Sequence, residues 1–504
     1  MIDAVPDGYL GATGRITSGP APELVATGYS LETADAPLLH SGLNLADLAH
    51  VLALVDATVV PRAAARQLIN QLLEFNETPA ADFPYDAAYG DAYNSREREL
   101  QRRIGVLAGW LHTGRTRREA GRIAFRIALR RQLLDLHEAI TELVEALASQ
   151  ARGHAATTWA DTTYLQPAQP STFGHYLGGF GEEATRHLRR VWAAYVWVNR
   201  SPVGCGGVGG SPILTNRVGD AAILGFDEPG FHTRDIMWSV DGLVDVAVAA
   251  TQAATTVDRL CEDLEIFASP AFGYVTLHAS LCRASVLLPQ KRNPYALAVV
   301  RSGTNVLIGQ ATALLAAQRT PSARTDNWLH GYGETSKVVE NATRLVRLGT
   351  MIVGTLEVDQ QHLAAEAASH FTGAADLAEH MVLREGLDYR TAYQVVGAAV
   401  ARAVAAGRTS LELTDLAASA GEHLGRPLTA DLNVAAITDP GMIVARRDVL
   451  GGSAAHRVTE HARRIERLAQ RAARRRERAR GSIESAENAV LARAREFSAA
   501  HEQG

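Results

Sequence analysis

Aromatic residues are scarce in this 504-residue chain, at 6%, and cysteine is scarcer, with three. Cys205, Cys261 and Cys282 have no metal-like spacing and no even pairing, which fits a reducing compartment. Positive charge is not in excess: 50 Lys and Arg face 55 Asp and Glu, and a net charge of −5 argues against a general nucleic-acid or membrane binder. No apolar run of about 18 residues occurs, and the N-terminal Met-Ile-Asp-Ala-Val-Pro-Asp-Gly lacks a basic and apolar signal, so a cytoplasmic location is expected. β-rich runs bounded by turns are missing, which excludes a doubly wound sheet.

What is present is helical pattern. Hydrophobic residues make up 47% and alanine dominates, a composition for helices that pack closely. The length exceeds one simple core. Residues 1–30, rich in Gly, Pro and Thr, read as an arm. Residues 43–75 turn helical with a break at Pro61, 76–89 form a loop, and 91–105 read as a charged helix with a largely solvated face. Long helices follow over 116–151, 173–198 and 243–267, after Pro294, and over 334–356. The expectation is an all-α chain of three domains: 1–115, a five-helix central bundle over 116–362, and a C-terminal helical domain over 363–504. Its arginine-heavy stretch from His461 to Arg480 reads as a solvated terminal helix with charge pairs. Gly204-Cys205-Gly206-Gly207-Val208-Gly209 fits a dinucleotide pattern literally, but Pro202 and Pro212 bracket it and no strand pattern surrounds it.

The stretch 283–294, Arg-Ala-Ser-Val-Leu-Leu-Pro-Gln-Lys-Arg-Asn-Pro, carries chemistry. Pro294 suits a first helical turn, Asn293 before it can act as a cap, and Lys291 adds an ammonium to an N-terminus that attracts anions. Ser285 places a hydroxyl on the loop entering this cradle.

This loop resembles the signature of the fumarase/aspartase superfamily in its argininosuccinate lyase form, Gly-Ser-Ser-x-Met-Pro-Gln-Lys-Lys-Asn-Pro. Leu111-His112-Thr113-Gly114-Arg115-Thr116-Arg117 is similar to that family's first block, and 163–170, Thr-Tyr-Leu-Gln-Pro-Ala-Gln-Pro, to its second. Weaker likeness runs from about Gly90 to Val458. The resemblance implies β-elimination of fumarate from a succinyl compound, with no cofactor or metal, in a homotetramer whose sites gather residues from three subunits. It makes Ser285 the base. Lys291 and Asn293 stabilise the aci-carboxylate, and Arg117 and Thr163 bind carboxylates. Tyr93 and Asn94 fall in the N-terminal part of the site.

The departures matter as much. Tyr164 stands where the family has histidine, and Ala298 where it has that histidine's carboxylate partner. Tyr164 is therefore the candidate proton donor. Tyr93 also replaces a histidine. Arg118-Glu119 replaces Asn-Asp, so Arg118 either favours a more anionic substrate or pairs with Glu119 or Asp91. Ala284 and Val286 replace the loop's glycine and second serine. The family's Gln-Glu-Asp-Lys segment is replaced around 326–330, Asp-Asn-Trp-Leu-His. The succinyl half of the site is kept better than the guanidino half. Three readings follow: a lyase for another N-substituted aspartate or succinyl compound, a genuine argininosuccinate lyase with a variant acid, or a catalytically silent homologue. Membrane and nucleic-acid partners are not expected.

Overall fold

A computed structural model describes residues 18–319 and 323–500. Of the expected N-terminal arm, residues 1–17 lie outside the described residues, while from Pro22 the chain is already helical, through Pro22–Leu24, Val25–Tyr29 and Ser30–Ala34. The first long elements are α1 (Ala36–Asp56), α2 (Arg62–Glu77) and α3 (Ala92–Ile104). Pro61 separates α1 from α2 and occupies the N-cap of α2, as its fixed φ and missing N–H dictate. Helix α1 is apolar enough to pass for a membrane span by composition, yet it is a core helix, buried along nearly its whole length.

The charged face of α3 does not simply meet water. Arg96 is fully buried against Asp47 at 3.0 Å, and Glu97 receives His112 at 2.7 Å. The sequence shows charge but not which neighbour will neutralise it, and here α1 supplies the counter-ion.

The centre is all-α, with α4 (Arg117–Gly153), α5 (Phe173–Val198), α6 (Asp241–Phe267), α7 (Tyr295–Ala317) and α8 (Gly331–Gly354). Helix α4 packs on α5 and α8, α6 on α5, α7 and α8, and α7 on α8. Alanine and glycine let these axes approach closely. A Cβ on Gly42 would lie 2.5 Å from the Ala124 carbonyl oxygen, so α1 and α4 meet backbone to backbone. Between α4 and α5 lies an antiparallel hairpin, β1 (Thr158–Thr163) and β2 (Gln166–Thr172). Pro167 and Pro170 within β2 hide it from pattern reading.

Beyond the bundle, helices Ala374–Glu385, Tyr389–Ala405 and Leu413–Leu424 enclose a second, smaller core that includes Leu377, Met381, Val395 and Leu416. The chain then returns as α9 (Ala455–Ala499), about 68 Å of helix at the usual rise per residue. This helix lies along α4 and α5 and reaches α1 and α2. Its arginines do find charge pairs, but across the groove: Arg480 meets Asp135 at 2.6 Å, Arg476 is buried 3.4 Å from Glu138, and Arg475 stacks on Trp192 at 4.0 Å.

Two buried histidines in this framework carry a pH consequence. Burial, with Arg476, Arg475 and Arg480 nearby, pushes His137 down to about 4. Burial and then Arg190 do the same to His187, also to about 4, and its Nε2 lies 2.7 Å from the Thr256 hydroxyl. Both rings are neutral in the fold, whereas the unfolded chain takes up protons below its ordinary value of 6.5. Their contribution is therefore present above that value and lost as pH falls towards about 4, on the order of 1–3 kcal/mol per ring. Thermal denaturation across this window checks the point. The His187→Gln protein is expected to lose stability less steeply, and an unchanged slope removes His187 from the account.

Candidate active site

The start of α4 is built by local rules. Thr116 is the N-cap, and its hydroxyl accepts from the Glu119 N–H at 3.2 Å. The same hydroxyl donates to the Gly206 carbonyl at 3.2 Å. The Glu119 carboxylate, wholly buried, accepts from the N–H groups of Gly204 and Gly206 at 2.7 and 2.6 Å. Burial raises it to about 7 against those two bonds and the charges of Arg115 and Arg217. The glycine-rich run is thus an inter-helix loop fastened to α4. Two of the N–H donors that a phosphate would need are spent on Glu119.

Next to that clamp, Arg117 extends half-exposed with Asp91 at 3.5 Å. Arg118 does not pair with Glu119 or Asp91 but with Glu32, in a two-pronged contact whose second arm is 3.3 Å. Burial disfavours its charge, but the Glu32 carboxylate outweighs that and raises its pKa. The pair explains why the extra guanidinium of the first block adds no free positive charge. Tyr93 is buried, with its hydroxyl 3.5 Å from Arg115, and burial raises its pKa. Asn94 is committed to the Tyr89 carbonyl at 2.8 Å. Tyr93, Arg117 and Arg118 line one cleft with Glu32, Asp35 and Tyr332, whose free volume is only about 30 Å³. Burial raises Asp35 to about 6, opposed by the Gly333 N–H and Lys337.

Thr163 and Tyr164 stand elsewhere, at the tip of the β1–β2 hairpin. Thr163 pairs with Gln166, leaving Tyr164 and Leu165 as a two-residue turn with φ of +55° and +57°. Both central residues are left-handed, the backbone of a turn normally made by Asn-Gly. Placing a tyrosine there costs on the order of 1 kcal/mol, and such positions cluster at functional sites. The Tyr164 side chain is 99% exposed.

The signature loop is a second hairpin. Strands β3 (Arg283–Ala284) and β4 (Arg292–Asn293) pair antiparallel ahead of α7. Asn293 does not cap α7. Pro294 holds the cap position without a side-chain bond, and the Asn293 amide donates to the Arg283 carbonyl at 3.0 Å. A residue already paired in a strand is turned away from the helix start. Ser285 accepts from the Leu288 N–H at 3.0 Å and more weakly from Leu287 at 3.4 Å, so its oxygen organises its own loop. Lys291 is exposed at the end of that loop, and Val286 beside Ser285 is fully exposed.

The chain therefore brings Tyr93, Arg117 and Arg118 to one cleft, Thr163 and Tyr164 to one hairpin, and Ser285, Lys291 and Asn293 to another; Asn94 is held by backbone. None of the hairpin residues lines the Arg117 cleft. Three features escaped sequence reading. The Glu119 clamp is one. A column of buried arginines is another: Arg122 donates to the Met237 carbonyl at 2.5 Å and the Tyr332 hydroxyl at 2.7 Å, and Arg126 to the Trp197 carbonyl at 2.9 Å. Arg130 continues the column to the Leu224 carbonyl at 2.9 Å. Their spacing of four along α4 was legible as one helix face. Third, Lys291 and Lys337 are the only lysines in a chain otherwise served by arginine, a compositional signal that singles out Lys291.

With this geometry in view, comparisons with known proteins place the chain. Residues 40–309 match the Lyase family, and residues 371–444, the stretch of the second core, match the argininosuccinate lyase C-terminal family. An argininosuccinate lyase of Methanoculleus marisnigri is 31% identical over 419 residues, covering 81% of this chain and 83% of that one. One of Chelativorans sp. is 30% identical, covering 89% and 94%. Among solved structures, a variant of EDDS lyase with bound fumarate superposes with TM-score 0.85 at 23% identity, covering 98% of this chain and 99% of the other. A fumarate lyase from Mesorhizobium sp. BNC1 gives 0.70 at 20% identity, covering 86% and 96%. The chain belongs to the Lyase family, in the argininosuccinate lyase-like group of the fumarase/aspartase superfamily.

The clamp yields a direct test. Glu119→Gln keeps the shape but turns one acceptor into an amide that faces an N–H. The expected loss is about 1–3 kcal/mol by chemical denaturation, with faster hydrogen exchange at Gly204 and Gly206. Unchanged stability and exchange would show that the carboxylate does not hold the loop.

Proposed function

We propose that this enzyme releases fumarate from an N-substituted aspartate or related succinyl compound whose leaving group is not that of argininosuccinate. Its class is that of an argininosuccinate lyase-like carbon–nitrogen lyase that releases fumarate. The observation that carries the choice of leaving group is the filled end of the Arg117 cleft. Arg118 is consumed by Glu32, and Trp328, from the segment replacing the family's Gln-Glu-Asp-Lys, is buried beneath the Arg122 guanidinium at 3.9 Å. A guanidino group finds there an ion pair and a stacked indole in place of that segment.

The succinyl half retains what the elimination needs. Removing a proton beside a carboxylate builds a second negative charge on that carboxylate, and Lys291 supplies a cation with no ion pair among the described residues. No side chain caps α7, so its first-turn N–H groups add to that field. Ser285, activated by these neighbours, takes the proton. Arg117 and Thr163 bind carboxylate, Asn293 orients the loop, and Tyr164 donates to the departing nitrogen. Tyr93, Asn94 and Arg118 shape the wall. The exposure of Tyr164, and the apolar faces left open at Val306, Ile308 and Leu315 of α7 and Met351 of α8, support a homotetramer in which other subunits complete each site. Light scattering that reports an active monomer at micromolar concentration would sink that assembly.

The substrate question is settled by following fumarate in the ultraviolet across a panel of N-succinyl amines with argininosuccinate included. Efficient cleavage of argininosuccinate and of no other member overturns the proposal, and a silent response to every member favours an inactive homologue. On the active substrate, Ser285→Ala is expected to lower kcat by about 10²–10⁴ with KM little changed. Tyr164→Phe is expected to lower kcat clearly for basic amine leaving groups and little for those departing as stable anions. Superimposable pH profiles of kcat for Tyr164→Phe and wild type would remove Tyr164 from proton transfer.

A further inference from the structure

A cavity of about 520 Å³ opens between the first turns of α5, the loop at Leu450–Gly452 and the start of α9. None of Arg117, Thr163, Tyr164, Ser285, Lys291 or Asn293 lines it. Its volume is that of a pocket for a small organic ligand. The floor is glycine: a Cβ built on Gly179 meets nothing within 4 Å, and one on Gly178 would touch only the His461 ring, at 3.2 Å. Leu450, 91% exposed, forms an apolar lip.

Charge on the walls is unbalanced. Glu182 is taken by Arg464 and by His461, whose Nε2 lies 3.0 Å away. Glu460 is taken by Arg457 at 2.9 Å, and Arg457 also holds Asp448 at 2.6 Å. Both carboxylates of the lining are thus spent, while Arg467 makes no ion pair among the described residues. One unpaired guanidinium in a lining that also holds Gly179 and Leu450 suits an anion with an apolar body.

We propose that this cavity is a binding site, separate from the catalytic one, for a small amphipathic carboxylate whose acid group meets Arg467 and whose apolar body lies over Gly179, beside the His461 ring. It sits at the root of the catalytic hairpin. His175 Nε2–H donates to the Gly451 carbonyl at 3.0 Å, so its Nδ1 faces the Ser171 hydroxyl, 3.4 Å away at the end of β2, as an acceptor.

The test uses the whole enzyme with 8-anilinonaphthalene-1-sulfonate as fluorescent probe and benzoate as competitor. Saturable binding of one probe per chain, displaced by benzoate, is expected. Gly179→Leu fills open space on a helix, so the thermal midpoint is expected to hold or rise while probe affinity falls at least tenfold. Arg467→Glu is expected to weaken binding about tenfold, and Arg467→Lys less than threefold. The proposal is overturned if no saturable binding occurs, or if Gly179→Leu binds as wild type does. It is equally overturned if fumarate displaces the probe, because the cavity would then belong to the catalytic site. None of these outcomes bears on which succinyl compound is cleaved.

Discussion

Everything in this structure hangs on guanidinium groups taken out of water along one helix. Arg122, Arg126 and Arg130 are buried on α4, and the first two have no carboxylate partner among the described contacts. Burying a charge without a counter-ion is among the more expensive acts a fold can perform. Here the cost is met with carbonyl oxygens and aromatic faces: Arg126 lies 4.2 Å over Trp197, and Arg130 4.6 Å over Phe226. Burial holds the Arg126 guanidinium down at about 9. Because each donor needs a carbonyl in one place, the column fixes where the end of α5, the segment at Met237 and the start of α8 must lie. An aliphatic helix face would pack as well but would not dictate register.

Directly below that column, the same helix presents Arg117 and Arg118. Their positions are inherited from the arginines above and from the Glu119 clamp in between. A second buried cluster supports the same corner, where Asp47 receives Arg115 at 2.5 Å and Arg96 at 3.0 Å. The cleft is therefore stiff on the side that holds Arg117. The two hairpins are different in kind, since Tyr164 and Val286 are held by backbone geometry and touch little else. The fold thus joins a rigid socket to two projecting loops.

Much of this was legible in advance, for identifiable reasons. The five bundle helices announced themselves because apolar spacing and, for α7, Pro294 at its start agree locally. The β1–β2 hairpin was not legible, because its turn uses Tyr and Leu where glycine or asparagine would have signalled it. Asn293 was read as a cap from its place before Pro294, and strand pairing overrode that local preference. For Arg118 the sequence offers a more anionic substrate, Glu119 or Asp91, whereas its partner is Glu32, from the start of the chain. Long-range charge pairing is what a single sequence hides most completely. A motif carries residue type alone, whereas the partners of Arg118 and Asn293 are fixed only by the fold.

The path of the chain after the bundle has an implication of its own. The polypeptide leaves the main core after α8, closes a small core around Leu377, Val395 and Leu416, and then re-enters the main core as α9. The small core is thus a detour spliced into a molecule whose last element is load-sharing with its first helices, as Arg493 on Asp56 and Ser498 on Asn70 illustrate. Such a detour can melt, be exchanged between relatives, or drift in sequence while both flanks stay anchored. Calorimetry of this chain is then expected to trace two overlapping heat-absorption peaks instead of one, with the larger belonging to the part that contains both ends of the described chain.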